Sequence, residues 1–168
     1  FPSRYTRKVA EFSYSDYSRF MLQELHKYVN DSACITIQWD SAIIDKSFWT
    51  SDFEKFDYIG APWPNNFSNR VGNGGFSYRT KKFLETTTTL PYEKISHKEL
   101  DAEDYHACVT CYTKMLIAGI EFAPTILARQ FAVEHPIPEK PHNYNDLSSY
   151  QSFAFHSEYN KAGMNLIF

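Results

Sequence analysis

The sequence has few cysteines, no long apolar run and no large excess of either charge. Only three of its 168 residues are cysteines, which are too few and too unevenly spaced for the disulfide framework of a small secreted domain. The thiols are therefore predicted to be reduced, which favours a cytoplasmic location. No stretch approaches the roughly 20 apolar residues that span a bilayer, so we predict no transmembrane segment and, at most, peripheral attachment to an inner membrane.

The charge balance of the chain argues against nucleic acid as a partner. The chain has 17 basic and 20 acidic residues and a formal net charge of -3. These charges are spread along the chain, without the basic patch that nucleic acid selects. Because 43% of the residues are hydrophobic and 17% are aromatic, the chain can bury a core without disulfides. We therefore expect a single domain over residues 1–168 that does not bind nucleic acid.

Helix-like and strand-like segments alternate along the chain. Residues 14–28 place apolar side chains close to helical spacing. Residues 33–39 form a mostly β-branched run that suits a buried strand, and residues 42–44 are a possible short continuation. A helix that leads into a buried strand is typical of α/β proteins. Ligands of open α/β sheets bind beyond the carboxyl ends of the strands, so Asp40 lies where chemistry is expected.

A second candidate feature is a glycine-rich turn, and a third is an acidic pair. Residues 71–79 hold three of the six glycines of the chain, and residues 80–86 read as the start of a helix, so we expect the backbone to approach another group closely. Glu103 and Asp104 open a predicted helix over residues 103–118, which Gly119 ends as a C-cap. A further strand is expected within residues 58–64, a short strand at residues 120–124, and a strand or loop at residues 153–156.

Each of these three features also has an ordinary structural explanation. A carboxylate such as Asp40 at a strand end is often a turn or capping residue, and a glycine-rich turn is often only a tight bend. The pair Glu103 and Asp104 can simply compensate the dipole of the helix that it begins. Only the order of the three features along the chain and the residue types within each motif favour a functional site.

These motifs together resemble a known group of proteins. The runs that carry the resemblance are Gln38-Trp39-Asp40, the Gly-Ala-Pro-Trp of residues 60–63, the Val-Gly-Asn-Gly-Gly-Phe-Ser of residues 71–77, Glu103-Asp104, and residues 120–124 and 153–156. They look like a bacterial domain-of-unknown-function family that is classed with glycosyltransferases. The order of a strand-end acid, a Gly-Gly turn and an acidic pair is also similar to inverting GT-A enzymes that transfer galactose or N-acetylhexosamine.

The resemblance implies a fold. It predicts a GT-A-like, Rossmann-related α/β domain with a mixed sheet flanked by helices. A GT-A fold normally begins with a β-α-β unit that holds the nucleotide, whereas the first clear elements here are a helix and the strand before Asp40. We therefore expect this sequence to lack the N-terminal nucleotide-binding unit and to contain the catalytic half.

The resemblance also implies a nucleotide-sugar donor, such as a UDP-sugar, and a metal. A Mn²⁺ or Mg²⁺ ion held by oxygen ligands would neutralise the departing diphosphate. Asp40 is the candidate ligand, and His156 resembles the C-terminal histidine that completes the metal shell in many such enzymes. Gln38 stands where these enzymes often have the first Asp of Asp-x-Asp. It removes one negative charge, and it could instead bind the ribose or the sugar.

The acceptor hydroxyl must lose a proton as it attacks the anomeric carbon, so inversion requires a carboxylate base. Asp104 is the predicted base and Glu103 orients the acceptor or the base, although their roles are interchangeable on the sequence alone. The residues predicted to bind donor or acceptor are Gln38, Trp63, Asn73, Gly74, Gly75 and Phe76. Within this set, the glycine amides would approach the donor sugar, and the two aromatic rings would offer an apolar platform to a sugar.

The sequence thus predicts a metal-assisted, inverting glycosyltransferase that moves a hexose or N-acetylhexosamine to a glycan or lipid-linked sugar, in polysaccharide biosynthesis. Two alternatives stay open. One is a non-catalytic carbohydrate-binding or interaction module. The other is a nucleotidyltransferase or phosphohydrolase in which Asp40, Glu103 and Asp104 are metal ligands.

Overall fold

The computed structural model describes residues 13–92 and 102–167. The α-helices in these ranges are α1 (Tyr14–Arg19), α2 (Lys81–Thr87), α3 (Glu103–Tyr105), α4 (Tyr112–Ile117), α5 (Thr125–Phe131) and α6 (Lys161–Met164). The strands are β1 (Ala33–Ile37), β2 (Ser41–Ile43), β3 (Tyr58–Gly60), β4 (Phe76–Thr80), β5 (Ala132–Val133) and β6 (Ala154–His156). Shorter helical turns at Lys46–Phe48, Ser51–Lys55 and Leu147–Ser149 connect them.

The strands form two small sheets flanked by helices, so the fold is mixed α/β, as predicted. In the first sheet the order is β1-β4-β3, and both pairings are antiparallel. In the second sheet the order is β2-β6-β5, where β2 is antiparallel and β5 parallel to β6. The sequence had predicted one mixed sheet. The split arises because the chain leaves the first sheet after β1 and enters the second at β2, so residues 42–44 do not continue β1.

Strand β1 is an edge strand rather than the buried strand that the sequence predicted. Ile35 and Ile37, which share one face of β1, are 36% and 57% exposed, and among the described residues β1 pairs only with β4. Thr36, on the opposite face, turns inward and its hydroxyl lies 2.7 Å from that of Ser77 on β4. Because one face of β1 is buried and the other is exposed, a run of apolar residues can form an edge strand.

The helical predictions are confirmed with local irregularities. The predicted helix over residues 14–28 consists of α1, a π-helical segment at Phe20–Glu24 and a 3₁₀ turn at Leu25–Lys27. The predicted helix over residues 103–118 similarly contains a π-helical segment, His106–Thr110, between α3 and α4. Gly119 ends it with a φ of +79°, the left-handed conformation that glycine adopts most readily.

The core is largely aromatic. Phe76 on β4 and Phe131 on α5 are fully buried, and their ring centroids lie 5.4 Å apart. Phe53 meets Phe131 edge to face at 5.2 Å, and Phe153 lies 6.0 Å from the Phe76 ring. This cluster joins the two sheets, because Phe76 begins β4 and Phe153 directly precedes β6. Within residues 13–92 and 102–167, the structure contains no helix with the length and apolar character needed to cross a bilayer.

Candidate functional site

A pocket of ≈ 590 Å³ lies where the two sheets meet. Its walls combine aromatic, acidic, histidine and amide side chains. The lining residues are Tyr14, Tyr17, Gln38, Trp63, Asn65, Phe67, Asn73, Gly75, Ala102, Glu103, Asp104, Tyr105, Glu134, His135 and His156. The pocket therefore collects most of the residues that the sequence had singled out.

Strand registers bring one group of these residues together. Ile37 pairs with Phe76 across β1 and β4, so Gln38 follows opposite Gly75, and its N–H donates to the Gly75 carbonyl at 2.8 Å. In the second sheet, Val133 is in parallel register with Phe155. The next residues, Glu134 and His156, therefore emerge side by side at the same edge of that sheet.

His156 is the centre of this group. Its Nε2 lies 3.2 Å from Gln38 Oε1 and 3.5 Å from Asp40 Oδ1, while its Nδ1 lies 3.6 Å from Glu134 Oε1. Asn73 donates from its Nδ2 to Glu134 Oε2 at 2.7 Å. The imidazole is thus flanked by two carboxylates, one on each ring nitrogen.

The ring of His156 packs directly on the backbone of Gly75. A Cβ atom at position 75 would lie 2.1 Å from His156 Nε2, a distance that no side chain can tolerate. This is the close backbone approach that the glycine-rich turn predicts, but the approaching group is a side chain of the protein. The glycine therefore fixes the position of the imidazole in the pocket.

Charge and burial act in opposite directions on this group. Burial disfavours the imidazolium, but the hydrogen bond and charge of Asp40 and the charge of Glu134 outweigh it and raise the pKa of His156. For Asp40, burial is again the largest effect, yet the interaction with His156 prevails and lowers the pKa of the carboxyl. Burial raises the pKa of Glu134, against the charges of His156 and His135. A protonated His156 between two acids is the arrangement that these shifts favour.

Asp104 is held on another part of the wall by backbone groups. The Gly74 N–H donates to Asp104 Oδ2 and the Tyr105 N–H donates to Oδ1, each at 2.7 Å. Asp104 is half-buried. A carboxylate can accept about four hydrogen bonds, and the described residues supply these two. The carboxylate is therefore fixed in position while it can still accept a proton.

The environment of Asp104 also changes its proton affinity. Burial and then the negative charge of Glu103 raise the pKa of Asp104 to about 7, while the hydrogen bonds from Gly74 and Tyr105 act in the opposite direction. A carboxyl group with a pKa close to neutrality is suited to accept a proton and to release it again at that pH. Carboxyl groups that line a pocket and have a shifted pKa are candidates for catalytic residues.

Glu103 has a different environment, although it is the preceding residue. Its Oε1 accepts a hydrogen bond from Arg79 Nη2 at 2.9 Å, and the two side chains are only 5% and 2% exposed. Arg79 Nε also donates to Ser77 Oγ at 2.9 Å, and its guanidinium lies 5.5 Å from the centre of the Tyr58 ring. Glu103 is therefore committed to a buried ion pair, which separates the two acids that the sequence treated as interchangeable.

Three half-buried aromatic rings occupy the part of the pocket next to Asp104. Trp63 and Phe67 meet at right angles with centroids 5.6 Å apart. Phe67 and Tyr105 meet in the same way at 5.6 Å, and Trp63 lies 6.4 Å from Tyr105. The three rings contact one another and together form an aromatic wall of the pocket.

Three of the predicted site residues, Asp40, Gly74 and Phe76, do not line the pocket, and the glycine amides are occupied by side chains of the protein. Phe76 is fully buried and packs on Phe131 in the core, so it has no face to offer a sugar. The Gly74 N–H is bound by Asp104 and the Gly75 N–H by Asn73 Oδ1 at 3.1 Å. These amides hold the side chains of the site, and the prediction that they approach a donor sugar has no support in the geometry.

The sequence also left several lining residues unidentified. Glu134 directly follows β5, and the strand-end argument that selected Asp40 applies to it equally. The strand has only two residues, so no periodicity revealed it. Tyr17 is a second omission, because it was counted among the apolar residues of the first helix. Its hydroxyl accepts a hydrogen bond from Gln38 Nε2 at 3.1 Å.

Asp40 and His156, the predicted metal ligands, face one another. Asp40 Oδ1 is buried and, apart from the long 3.5 Å contact with His156 Nε2, has no hydrogen-bond partner in the part of the chain that the structure describes. Among those residues, however, no group of three or more His, Cys, Asp or Glu is arranged to hold a metal ion. Mg²⁺ typically binds through one or two carboxylates and completes its shell with substrate phosphates and water. The pair thus fits a cation that is shared with a phosphate group, but not a complete protein cage.

Comparison with known proteins gives a family but no activity. A family model described as "Protein of unknown function (DUF5672)" matches residues 3–159. No curated protein and no solved structure matches the chain. The resemblance to glycosyltransferases therefore stays a prediction, and arguments about function rest on the pocket.

Proposed function

The chain belongs to the family of unknown function DUF5672, and we propose that it is an inverting glycosyltransferase of the GT-A type. The donor is a nucleotide-diphosphate sugar such as a UDP-sugar, and the acceptor is a glycan or a lipid-linked sugar. The observation that carries the proposal is Asp104, a pocket carboxylate that two backbone N–H groups hold in place and whose pKa is raised to about 7.

The reaction needs one base and one acidic or cationic partner for the leaving group. Asp104 removes the proton of the acceptor hydroxyl as its oxygen forms a bond to the anomeric carbon. The bond between that carbon and the diphosphate breaks at the same time, and the diphosphate leaves with the electron pair. The configuration at the anomeric carbon is therefore inverted, and Asp104 ends the step protonated. Glu103 orients the site through its ion pair with Arg79.

The group around His156 suits the donor side of this reaction. Asp40 and the neutral form of His156 would hold a Mn²⁺ or Mg²⁺ ion together with the donor phosphates, so binding of the ion would release the imidazolium proton. The ion would supply charge to neutralise the leaving diphosphate. Gln38 and Asn73 position His156 and its partner Glu134. In this arrangement the donor end of the site is at His156 and the base is Asp104, and both residues line the same pocket.

A carbohydrate-binding module is the second candidate, and the aromatic wall next to Asp104 favours it. Sugar rings have an apolar C–H face that packs on aromatic rings without any need for catalysis. A nucleotidyltransferase or phosphohydrolase that uses Glu103 as a metal ligand is less well supported, because that carboxylate is buried against Arg79.

The test is a transfer assay with a panel of nucleotide sugars, together with calorimetry of donor binding. Asp104→Asn is expected to lower the rate of transfer by about 10²–10⁴-fold while donor binding stays close to that of the unsubstituted chain. Asp31→Asn, which changes an exposed acid, is the matched control and should keep full activity. Full transfer activity in Asp104→Asn would refute the mechanism, and glycan binding without nucleotide affinity would favour the binding module.

A further inference from the structure

The pocket has two chemically different ends, and the acceptor belongs at one of them. A general base must lie within hydrogen-bond distance of the hydroxyl from which it takes a proton. The pocket residues that lie near Asp104 therefore also lie near the bound acceptor. Tyr105 is the next residue along the chain and donates its N–H to Asp104 Oδ1. Its ring contacts Phe67 and Trp63, so these three rings, which we name the aromatic wall, flank the acceptor position.

The backbone holds the aromatic wall against the glycine-rich turn. A Cβ atom at position 72 would lie 2.3 Å from the Trp63 ring, so Gly72 allows the indole to rest directly on the turn. The Trp63 N–H in turn donates to the Arg70 carbonyl at 2.8 Å. Because Trp63 is held in place by these contacts before a ligand binds, stacking on its ring costs little conformational entropy.

The charges beside the aromatic wall are negative. Asp104 must be ionised to act as a base, and Glu103 lines the pocket next to it. His156 also lines the pocket, but Asp40 and Glu134 flank its ring and offset its charge. The one described cation beside the base, Arg79, is bound by Glu103. Among the described residues that line the pocket there is no Lys or Arg. An anionic group on the acceptor would therefore meet repulsion without a compensating ion pair.

We propose that the aromatic wall is an acceptor subsite that takes a neutral or amino-bearing pyranose by stacking and rejects sugars that carry a carboxylate or phosphate. This inference rests on the proposed function, because it is the role of Asp104 as base that assigns the wall to the acceptor. It adds the chemical class of the acceptor and the residues that select it.

The experiment compares sugars that differ in charge but share a ring. Binding of methyl glucoside, N-acetylglucosamine, glucosamine, methyl glucuronide and glucose 6-phosphate is measured by calorimetry on the full chain without nucleotide. We expect a neutral or amino sugar to bind best and the glucuronide to bind about tenfold or more weakly than the glucoside. A preference for the glucuronide or the phosphate, or no binding by any member of the panel, would overturn the proposal.

Substitutions identify the surface that is responsible. Trp63→Leu and Phe67→Leu are each expected to weaken binding of the preferred sugar by about tenfold. Trp39→Leu is the matched control, because Trp39 is 69% exposed and does not line this pocket. Unchanged affinity in both wall variants would also overturn the proposal. Far-ultraviolet circular dichroism checks that each variant is folded.

The two proposals fail in different ways. Sugar binding that depends on the aromatic wall, without nucleotide binding or transfer, would support the subsite while refuting the glycosyltransferase. Transfer to a uronic acid or a phosphorylated sugar would support the glycosyltransferase while refuting the subsite. Asp104→Asn supplies an internal check, since removing its charge should narrow the difference in affinity between the glucoside and the glucuronide.

Discussion

The Glu103 carboxylate and the Arg79 guanidinium form a buried ion pair at 2.9 Å, and this pair gives two adjacent acids different chemistry. Glu103 is neutralised by a cation, whereas its neighbour Asp104 is held, among the residues that the structure describes, by backbone N–H groups. The charge of Glu103 also contributes to the raised pKa of Asp104. The pair therefore contributes both to the stability of the domain and to the reactivity of the pocket.

Breaking this pair should destabilise the domain strongly. In Glu103→Gln, Arg79 keeps its charge in a buried position without a carboxylate, and we expect the free energy of unfolding to fall by about 3–5 kcal/mol. Denaturant unfolding measures this loss. The matched control is Glu139→Gln, since Glu139 pairs with Arg70 at 2.6 Å but is 44% exposed, and its loss should cost less than about 1 kcal/mol. Equal losses in the two variants would contradict the prediction.

The same substitution should alter the titration of Asp104. Because the Glu103 charge raises the pKa of Asp104, Glu103→Gln should lower that pKa below about 7. Carbonyl carbon NMR of the carboxyl group measures it directly, and if transfer is detected, the acid limb of its pH profile should move to lower pH as well. A pKa that does not change or rises would show that burial alone sets the value.

Asp104 should also make the stability of the chain depend on pH. Its pKa is about 7 in the folded chain, against an ordinary value of 3.8, so between these values the folded chain holds a proton that the unfolded chain has released. Stability from this group is therefore present at low pH and is lost as the pH rises to about 7. In Asp104→Asn the decrease in the free energy of unfolding between pH 5 and pH 8 should be smaller by about 1–3 kcal/mol.

Denaturant unfolding at the two pH values measures this difference. The comparison is made within each variant, so any cost of the Asn amide beside Gly74 cancels. Asp31→Asn should show the same decrease as the unsubstituted chain. An unchanged decrease in Asp104→Asn would mean that Asp104 does not titrate in this range.

Contact between Gly75 and His156 predicts a non-additive pair of substitutions. Gly75→Ala places a methyl group 2.1 Å from His156 Nε2 and should destabilise the domain by about 1–3 kcal/mol. In a chain that already has His156→Ala, the same change should cost much less, because the ring is gone. A double-mutant cycle of unfolding free energies measures the coupling, and additive costs would show that another neighbour is responsible.

Metal dependence provides a test of the donor end. If Asp40 and His156 share a cation with the donor phosphates, chelation should abolish donor binding. Asp40→Asn and His156→Ala should raise the metal concentration for half-maximal binding by about 10–100-fold. Calorimetry over a Mn²⁺ series measures this, with Asp31→Asn as the control. Donor binding that survives chelation would refute this part of the proposal.

The sequence predicted the α/β class, the helices and the importance of the glycine-rich turn, because these depend on local periodicity and on backbone conformation. It did not separate Glu103 from Asp104, since their roles depend on Arg79, which comes from a strand 24 residues earlier in the chain. Phe76 was misassigned for a similar reason. Its strand β4 was not recognised, and an aromatic residue beside a glycine turn points inward or outward according to the pairing of that strand.

Glu134 illustrates a different limit of prediction from the sequence. Its position beside His156 follows from the parallel register of β5 and β6, which brings together residues more than 20 positions apart. No pattern within a two-residue strand can encode that pairing. The strand-end argument nevertheless applies to every strand once its register is known, and it then selects Asp40, Glu134 and His156 together.

The location of the pocket at the junction of the two sheets has a mechanical consequence. His156 ends a strand of one sheet, and the Gly75 on which its ring rests leads into a strand of the other. Because Phe76, Phe131 and Phe153 pack across this junction, the alignment of the two sheets determines where the imidazole lies. A ligand that contacts residues of both sheets would therefore stabilise that alignment.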